Sequence, residues 1–188
     1  MAMRISRLVG GALALALAVG GCGKPFGGRV VYQGDYPHYR SAAELMDRAS
    51  LVIEATVARP RVDKLYPDGG GSGPKADPRA GAPEPVEDTA VVITVWSATI
   101  KVVHKGPNKP GDVVDVHQVG GLLDGVSYEQ DAAVPFREGD TYLLFLETYP
   151  DSSAALLNPY QAHYEVDPDG TFRPVSADNQ IAVTGNDL

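Results

Sequence analysis

Histidine, cysteine and acidic side chains are the groups of this sequence that could do catalytic or metal chemistry. The four histidines are scattered and lack zinc-site spacing; they are His38, His104, His117 and His163. His117 follows Asp115 by two residues, so one face of a strand could hold both as a histidine–carboxylate pair. A solvated strand face is the favoured interpretation of this pair. We therefore predict no metal site and no cofactor.

The glutamates and aspartates supply no recognisable catalytic pair. Glu44, Glu54, Glu129 and Glu147 could meet in space, but their spacing does not indicate it. Asp-Pro-Asp-Gly at 167–170 lacks the later oxygen ligands of a calcium loop, so it predicts a turn. The expectation is a protein without catalytic residues. A hydrolase of envelope polymers with an unrecognised carboxylate site stays open as an alternative.

Three tyrosines cluster ahead of the first predicted helix, and they are Tyr32, Tyr36 and Tyr39. Exposed tyrosine rings can stack on a sugar or on a peptide, since the ring is apolar and the hydroxyl is polar. These residues are therefore candidate ligand-facing aromatics. The alternative is that they close the ends of a barrel.

Cys22 is the only cysteine of the sequence, so no disulfide can form within the chain. It closes an apolar run that follows Arg4 and Arg7, and the run, residues 8–19, is short for a membrane span. The tetrapeptide Val-Gly-Gly-Cys at 19–22 resembles the lipobox of bacterial lipoproteins. The resemblance implies acylation of the cysteine, with chains such as palmitate.

The same resemblance makes residues 1–21 a cleaved lipoprotein signal peptide and residues 22–28 a glycine-rich tether. It places the protein on the extracytoplasmic face of the cell membrane, held there by lipid. Removing the signal peptide takes away two arginines and no acids, so the net charge moves from −8 to −10. An acidic body without a basic cluster excludes nucleic acid as a partner. An envelope protein or a polysaccharide remains a candidate partner.

Local patterns divide the remaining chain into one domain over 29–175 and a loosely held tail over 176–188. A Ser-x-x-Glu capping box at 41–44 predicts a short helix over 42–49. Apolar alternation predicts strands over 51–58, ending at Pro60, over 90–105 with a bulge or bend near Trp96, and over 112–119. Gly120-Gly121 is expected to end the third of these.

A run without a polar face at 141–147 predicts a strand buried on both sides. The Asp-Pro-Asp-Gly turn predicts a closing hairpin between 164–166 and 171–173. Residues 67–88 contain five prolines and five glycines and have no apolar period, so they predict a disordered insertion between two strands. About five strands with one short helix favour a small barrel.

Three segments resemble the netrin-like OB-fold module, which includes the tissue inhibitors of metalloproteinases. They are Ala49–Val57 after the helix, Ile100–Pro107 and Gly139–Phe145, and the resemblance covers residues 41–146. It implies a mainly β fold, a single five-stranded OB-like barrel with one short N-terminal helix and a long inter-strand loop.

The netrin-like resemblance also suggests an alternative function, protease inhibition through barrel loops. Those inhibitors have several disulfides and use the free amino group of an N-terminal cysteine as a zinc ligand, whereas acylation would block that nitrogen at Cys22. We therefore expect the fold without that inhibitory mechanism. The leading hypothesis is a membrane-anchored, non-catalytic binding or structural module of the cell envelope.

Overall fold

A computed structural model describes residues 27–66 and 90–188 of the chain. Within these ranges the fold is mainly β with one short helix, which confirms the predicted class. The predicted signal peptide, Cys22 and the predicted insertion over 67–88 lie outside the described residues. The helix has seven residues, and the described ranges contain no helix long and apolar enough to cross a membrane.

The elements in chain order are β1 (Arg29–Tyr32), α1 (Ala42–Arg48), β2 (Leu51–Leu65), β3 (Val91–Lys105), β4 (Val113–Leu123), β5 (Val126–Gln130), β6 (Thr141–Tyr149), β7 (Ser152–Leu156), β8 (His163–Val166) and β9 (Phe172–Pro174). The predicted strands and the closing hairpin are all present. β5 and β7 are additional, because neither segment has an apolar period in the sequence.

The strands form one sheet in the order β1-β5-β4-β3-β2-β6-β8-β9. β7 lies off this path and pairs with both β4 and β6, so the pairings run in a closed circuit through β2, β3, β4, β7 and β6. Within the circuit only β4 and β7 run parallel. β5 and β1 extend the sheet outward from β4.

The closed circuit of strands separates two hydrophobic clusters. The inner cluster takes buried residues from all five strands of the circuit, including Ile53, Trp96 and Leu144. The outer cluster lies on the opposite face of β2 and β6 and contains Phe145 together with Leu45 of α1. β6 is thus buried on both sides, as its sequence predicts.

The helix α1 begins at a capped N-terminus and covers part of the outer cluster. The Ser41 hydroxyl accepts a hydrogen bond from the Glu44 N–H at 3.2 Å, and the Glu44 carboxylate accepts one from the Arg40 N–H at 2.8 Å. Leu45 is fully buried, and the Lys105 ammonium donates to carbonyls of the last turn, including that of Met46 at 2.6 Å. The predicted helix is therefore confirmed to within one residue.

The strand β2 corrects the prediction that Pro60 ends it, because it continues to Leu65. Ala58 pairs with Ser97 and Arg61 pairs with Val95, which leaves Arg59 and Pro60 opposite one residue of β3, Trp96. This is a bulge, and it accommodates a proline that cannot donate to the ladder. The predicted irregularity at Trp96 is present, but the extra residue belongs to β2.

The C-terminal residues also differ from the loosely held tail that the sequence predicts. Ile181 and Val183 are 6 % and 5 % exposed and belong to the outer cluster. The Asn179 side chain accepts a hydrogen bond from the Ile181 N–H at 3.0 Å and so fixes a turn beneath them. The physical reason is the apolar outer face of β6, which needs a cover that α1 alone does not supply.

Candidate ligand-binding cleft

A cleft of about 430 Å³ lies beside the closed circuit, where β5 and the segment after it face β3 and β4. Its volume falls in the range of small-ligand sites, about 300 to 1,000 Å³. The lining residues are Thr94, Trp96, Gln118, Val119, Gly120, Gly121, Ser127, Tyr128, Glu129, Gln130, Ala133 and Pro135.

The two glycines of β4 allow the strand to form one wall of the cleft. Gly120 has φ 110°, and a Cβ there would lie 2.7 Å from the Tyr128 carbonyl oxygen. Gly121 has φ 152°, and its Cβ would lie 2.8 Å from the Thr94 hydroxyl. Only glycine fits both the backbone conformation and the close approach. β4 therefore continues to Leu123 through the glycines that were expected to end it.

A loop over 131–136 forms the lip of the cleft, and Gln118 holds it in place. The Gln118 amide donates to the Val134 carbonyl at 3.1 Å and accepts from the Phe136 N–H at 2.8 Å. Ala132 has φ 53°, a conformation that costs an alanine on the order of 1 kcal/mol. The loop is thus held in a strained shape by two hydrogen bonds from one side chain.

Two of the three candidate tyrosines lie beside this cleft, and the third does not. The Tyr32 ring stacks on Tyr128 with centroids 6.0 Å apart, and the Tyr36 hydroxyl donates to the Gln130 amide oxygen at 3.0 Å. Tyr39 is 8 % exposed and packs in the outer cluster, so it is not ligand-facing. Tyr32 therefore packs against the Tyr128 ring of the cleft wall, whereas the sequence predicted that Tyr32 would face a ligand.

Trp96 contributes the apolar floor of the cleft. It is 7 % exposed and meets Phe136 edge-on with centroids 6.0 Å apart. Its indole N–H is buried and has no hydrogen-bond partner in the described part of the chain. Such an unpaired donor costs about 1 to 3 kcal/mol, so Trp96 is held at the floor of the cleft at the expense of stability.

A smaller cavity of about 90 Å³ adjoins the cleft and is lined by His117. His117 is 8 % exposed, which corrects the expected solvated face, and burial lowers the pKa of its imidazole. Its Nδ1 lies 2.8 Å from the Ser153 hydroxyl, while Asp115 instead binds Arg61 at 2.7 Å. The His117–Asp115 pair that the sequence allows does not form.

The remaining histidines lie away from the cleft. His104 Nε2 lies 2.9 Å from a carboxylate oxygen of Glu54, whereas His38 is exposed. His163 is fully buried, with its ring edge-on to Phe136 at a centroid distance of 5.4 Å. Burial lowers the pKa of His163 to about 4, although the Val134 backbone opposes this shift. His163 is therefore neutral near pH 7.

The charged residue that lines the cleft, Glu129, is paired with an arginine. The Arg29 guanidinium lies 2.6 Å from the Glu129 carboxylate and lowers its pKa. Across residues 27–66 and 90–188, no three histidine, cysteine, aspartate or glutamate side chains come together as a metal site. The arrangement favours recognition of an uncharged ligand by amides, hydroxyls and aromatic rings.

Comparison with known proteins finds no matching family model, curated protein or solved structure. The sequence does not single out Gln118, Gln130 or Tyr128, and these are the residues that build the cleft. The one signal of the cleft in the sequence is the glycine pair at 120–121. Such a pair within a strand indicates either the end of the strand or a close approach of two backbones, and the second interpretation holds here.

Proposed function

We propose that this protein is a lipid-anchored, extracytoplasmic binding module of the cell envelope, without catalytic activity, and that the cleft is its ligand site. The observation that carries this proposal is that side-chain interactions hold the cleft in a defined shape. A strained loop is held at its lip by Gln118, and Trp96, which lines its floor, has a buried indole N–H without a partner among the described residues. Strain and unpaired buried groups concentrate at binding sites.

An OB-like barrel is the architecture that we infer for this module, in agreement with the netrin-like resemblance. The closed pairing circuit has five strands, a short helix precedes the first, and one of its pairings is parallel. OB barrels bind ligands on the face of their second and third strands. The second and third strands of this circuit are β3 and β4, which contribute Trp96 and Gln118 to the cleft.

The position of the tether supports a membrane-proximal cleft. Gly27 follows Cys22 by five positions, so the two residues are at most about 18 Å apart. Gly27 lies beside Gly125, at the tip of the β4–β5 hairpin that forms the cleft wall. A lipid on Cys22 would therefore hold this hairpin close to the bilayer surface.

Metabolic labelling with a fatty-acid probe tests the anchor. We expect the wild-type chain to incorporate the probe and Cys22→Ser to remain an unlabelled full-length precursor, because the thiol accepts the acyl chain. Label in the Cys22→Ser protein would contradict the lipoprotein assignment.

Affinity capture from native membranes tests whether the cleft is the ligand site. The wild-type chain is compared with Ala133→Phe, in which a large side chain fills the cleft from its lip. We expect the filled variant to lose the captured component. Equal capture by both proteins would place binding elsewhere on the molecule.

Hydrolysis is a second candidate function, and one observation favours it. The Ser153 hydroxyl lies 2.8 Å from Nδ1 of His117, which is the spacing of a hydroxyl nucleophile and its general base. A fluorophosphonate probe would label such a nucleophile in the wild-type chain and not in Ser153→Ala. Absence of labelling in both proteins would remove this candidate.

A further inference from the structure

We propose that the cleft binds an uncharged carbohydrate chain, an inference that rests on the proposed binding function and names its ligand class. The first argument is electrostatic. Among the described residues that line the cleft, Glu129 alone carries a charge, and its carboxylate is occupied by Arg29. The cleft therefore has no free charge with which to select an ionic ligand.

The hydrogen-bonding groups of the cleft match hydroxyl-rich ligands. Gln118 and Gln130 each use one N–H and one oxygen lone pair within the protein. A primary amide has two N–H groups and two lone pairs, so each side chain keeps one donor and one acceptor. The Ser127 hydroxyl donates to Glu129 and can still accept. Sugar hydroxyls, which both donate and accept, satisfy such groups in pairs.

Aromatic groups supply the apolar contact that a pyranose ring requires. Tyr128 lines the cleft and is held in orientation by its stack on Tyr32, with an interplanar angle of 21°. Trp96 contributes a second aromatic ring to the floor of the cleft. A sugar packs its C–H face on a fixed ring while its hydroxyls reach polar neighbours, so ring and amides act on one ligand.

The sheet argues against an extended peptide as the ligand. Each strand that lines the cleft already has partners on both sides: β3 between β2 and β4, β4 between β3 and β5, and β5 between β4 and β1. A peptide that binds by strand addition needs a free edge, which these strands lack. Recognition must come from side chains.

The fluorescence of Trp96 tests this proposal directly, because it is the only tryptophan of the sequence. The purified full-length chain in detergent is titrated with maltotetraose, cellotetraose and chitotetraose, and separately with the peptide (Ala-Gly)₃. We expect a saturable emission change with at least one tetrasaccharide and none with the peptide. Weak binding with a Kd of about 1 mM corresponds to a binding free energy near −4 kcal/mol. If none of the three sugars changes the emission at a concentration 10-fold above that Kd, the proposal is overturned.

Three tyrosine variants locate the binding site. Tyr128→Ala should raise the Kd about 5- to 150-fold, since loss of an aromatic stack costs about 1 to 3 kcal/mol. Tyr128→Phe keeps the ring and should bind as the wild type does. Tyr149→Ala is the matched control, because Tyr149 is 49 % exposed and lies outside the cleft lining. Equal loss in the Tyr149 variant would overturn the assignment.

A second route keeps the test decisive if Tyr128→Ala fails to fold. Ala133→Phe removes no existing hydrogen bond or ring contact and should abolish the sugar-dependent emission change by filling the cleft. Unaltered sugar binding in this variant would overturn the site. A response to the peptide alone would overturn the carbohydrate class and leave the cleft standing as a ligand site, whereas membrane capture that survives cleft filling would place the binding function elsewhere on the molecule.

Discussion

Replacing Phe145 with alanine removes the central ring of the outer cluster. The side chain is fully buried and packs edge-on against Tyr164, with ring centroids 6.0 Å apart. Truncation of a buried phenylalanine costs about 3 to 5 kcal/mol, through lost apolar burial and the cavity that remains. For a chain of this size each kcal/mol lowers the Tm by about 2 to 4 °C, so the expected fall is about 6 to 20 °C.

Equilibrium unfolding in urea measures this cost, with Lys101→Ala as the control. Lys101 is exposed, and its ammonium donates to the Thr141 hydroxyl at 3.1 Å, so its loss should change the free energy of unfolding by less than about 0.5 kcal/mol. Both variants should retain the wild-type m-value. Equally mild effects of the two substitutions would refute the two-sided burial of β6 and the strand register built on it.

Two further predictions concern the loop sequence and a buried histidine. Deleting residues 68–87 should cost less than about 1 kcal/mol of stability, because the entropy of loop closure changes slowly with loop length. Five residues would remain between the paired Leu65 and Val91, which is enough for a hairpin loop. A large fall in the urea midpoint of unfolding would contradict this prediction. The pKa of His163 lies at about 4 in the folded chain, below its unfolded value near 6.5, so the unfolded state binds the proton first and stability falls as the pH drops from 6.5 to 4. The free energy of unfolding should fall by on the order of 3 kcal/mol over this pH range. In His163→Leu this part of the pH dependence should vanish. An unchanged slope of stability against pH in that variant would show that other groups cause it.

The local elements were readable from the sequence because their signals are local. The serine and glutamate at 41 and 44 specify the start of α1, and Gly170, with φ 83°, permits the turn between β8 and β9. The unbroken apolar run of β6 specifies burial on both faces. Each of these patterns lies within a few consecutive residues, so it can be recognised in the sequence without the tertiary structure.

Elements without a period of their own could not be found in this way. β7 has the sequence Ser-Ser-Ala-Ala-Leu and becomes a strand because β4 and β6 present free hydrogen-bonding groups on either side of it. The C-terminal residues are likewise ordered by the outer cluster that they cover, to which Ile181 and Val183 belong. In both cases the stabilising partner lies far away in the chain.

The sequence by itself determined the class of fold, the faces of its strands and the resemblance at Cys22 to a lipidation site. Only the tertiary structure decided the cleft. Gln130 binds Tyr36 across 94 positions of the chain, and Gln118 reaches a loop that no periodicity marks. Periodicity encodes which side of a strand is apolar, whereas the meeting of distant polar side chains is fixed only when the sheet closes and sets the register of every strand.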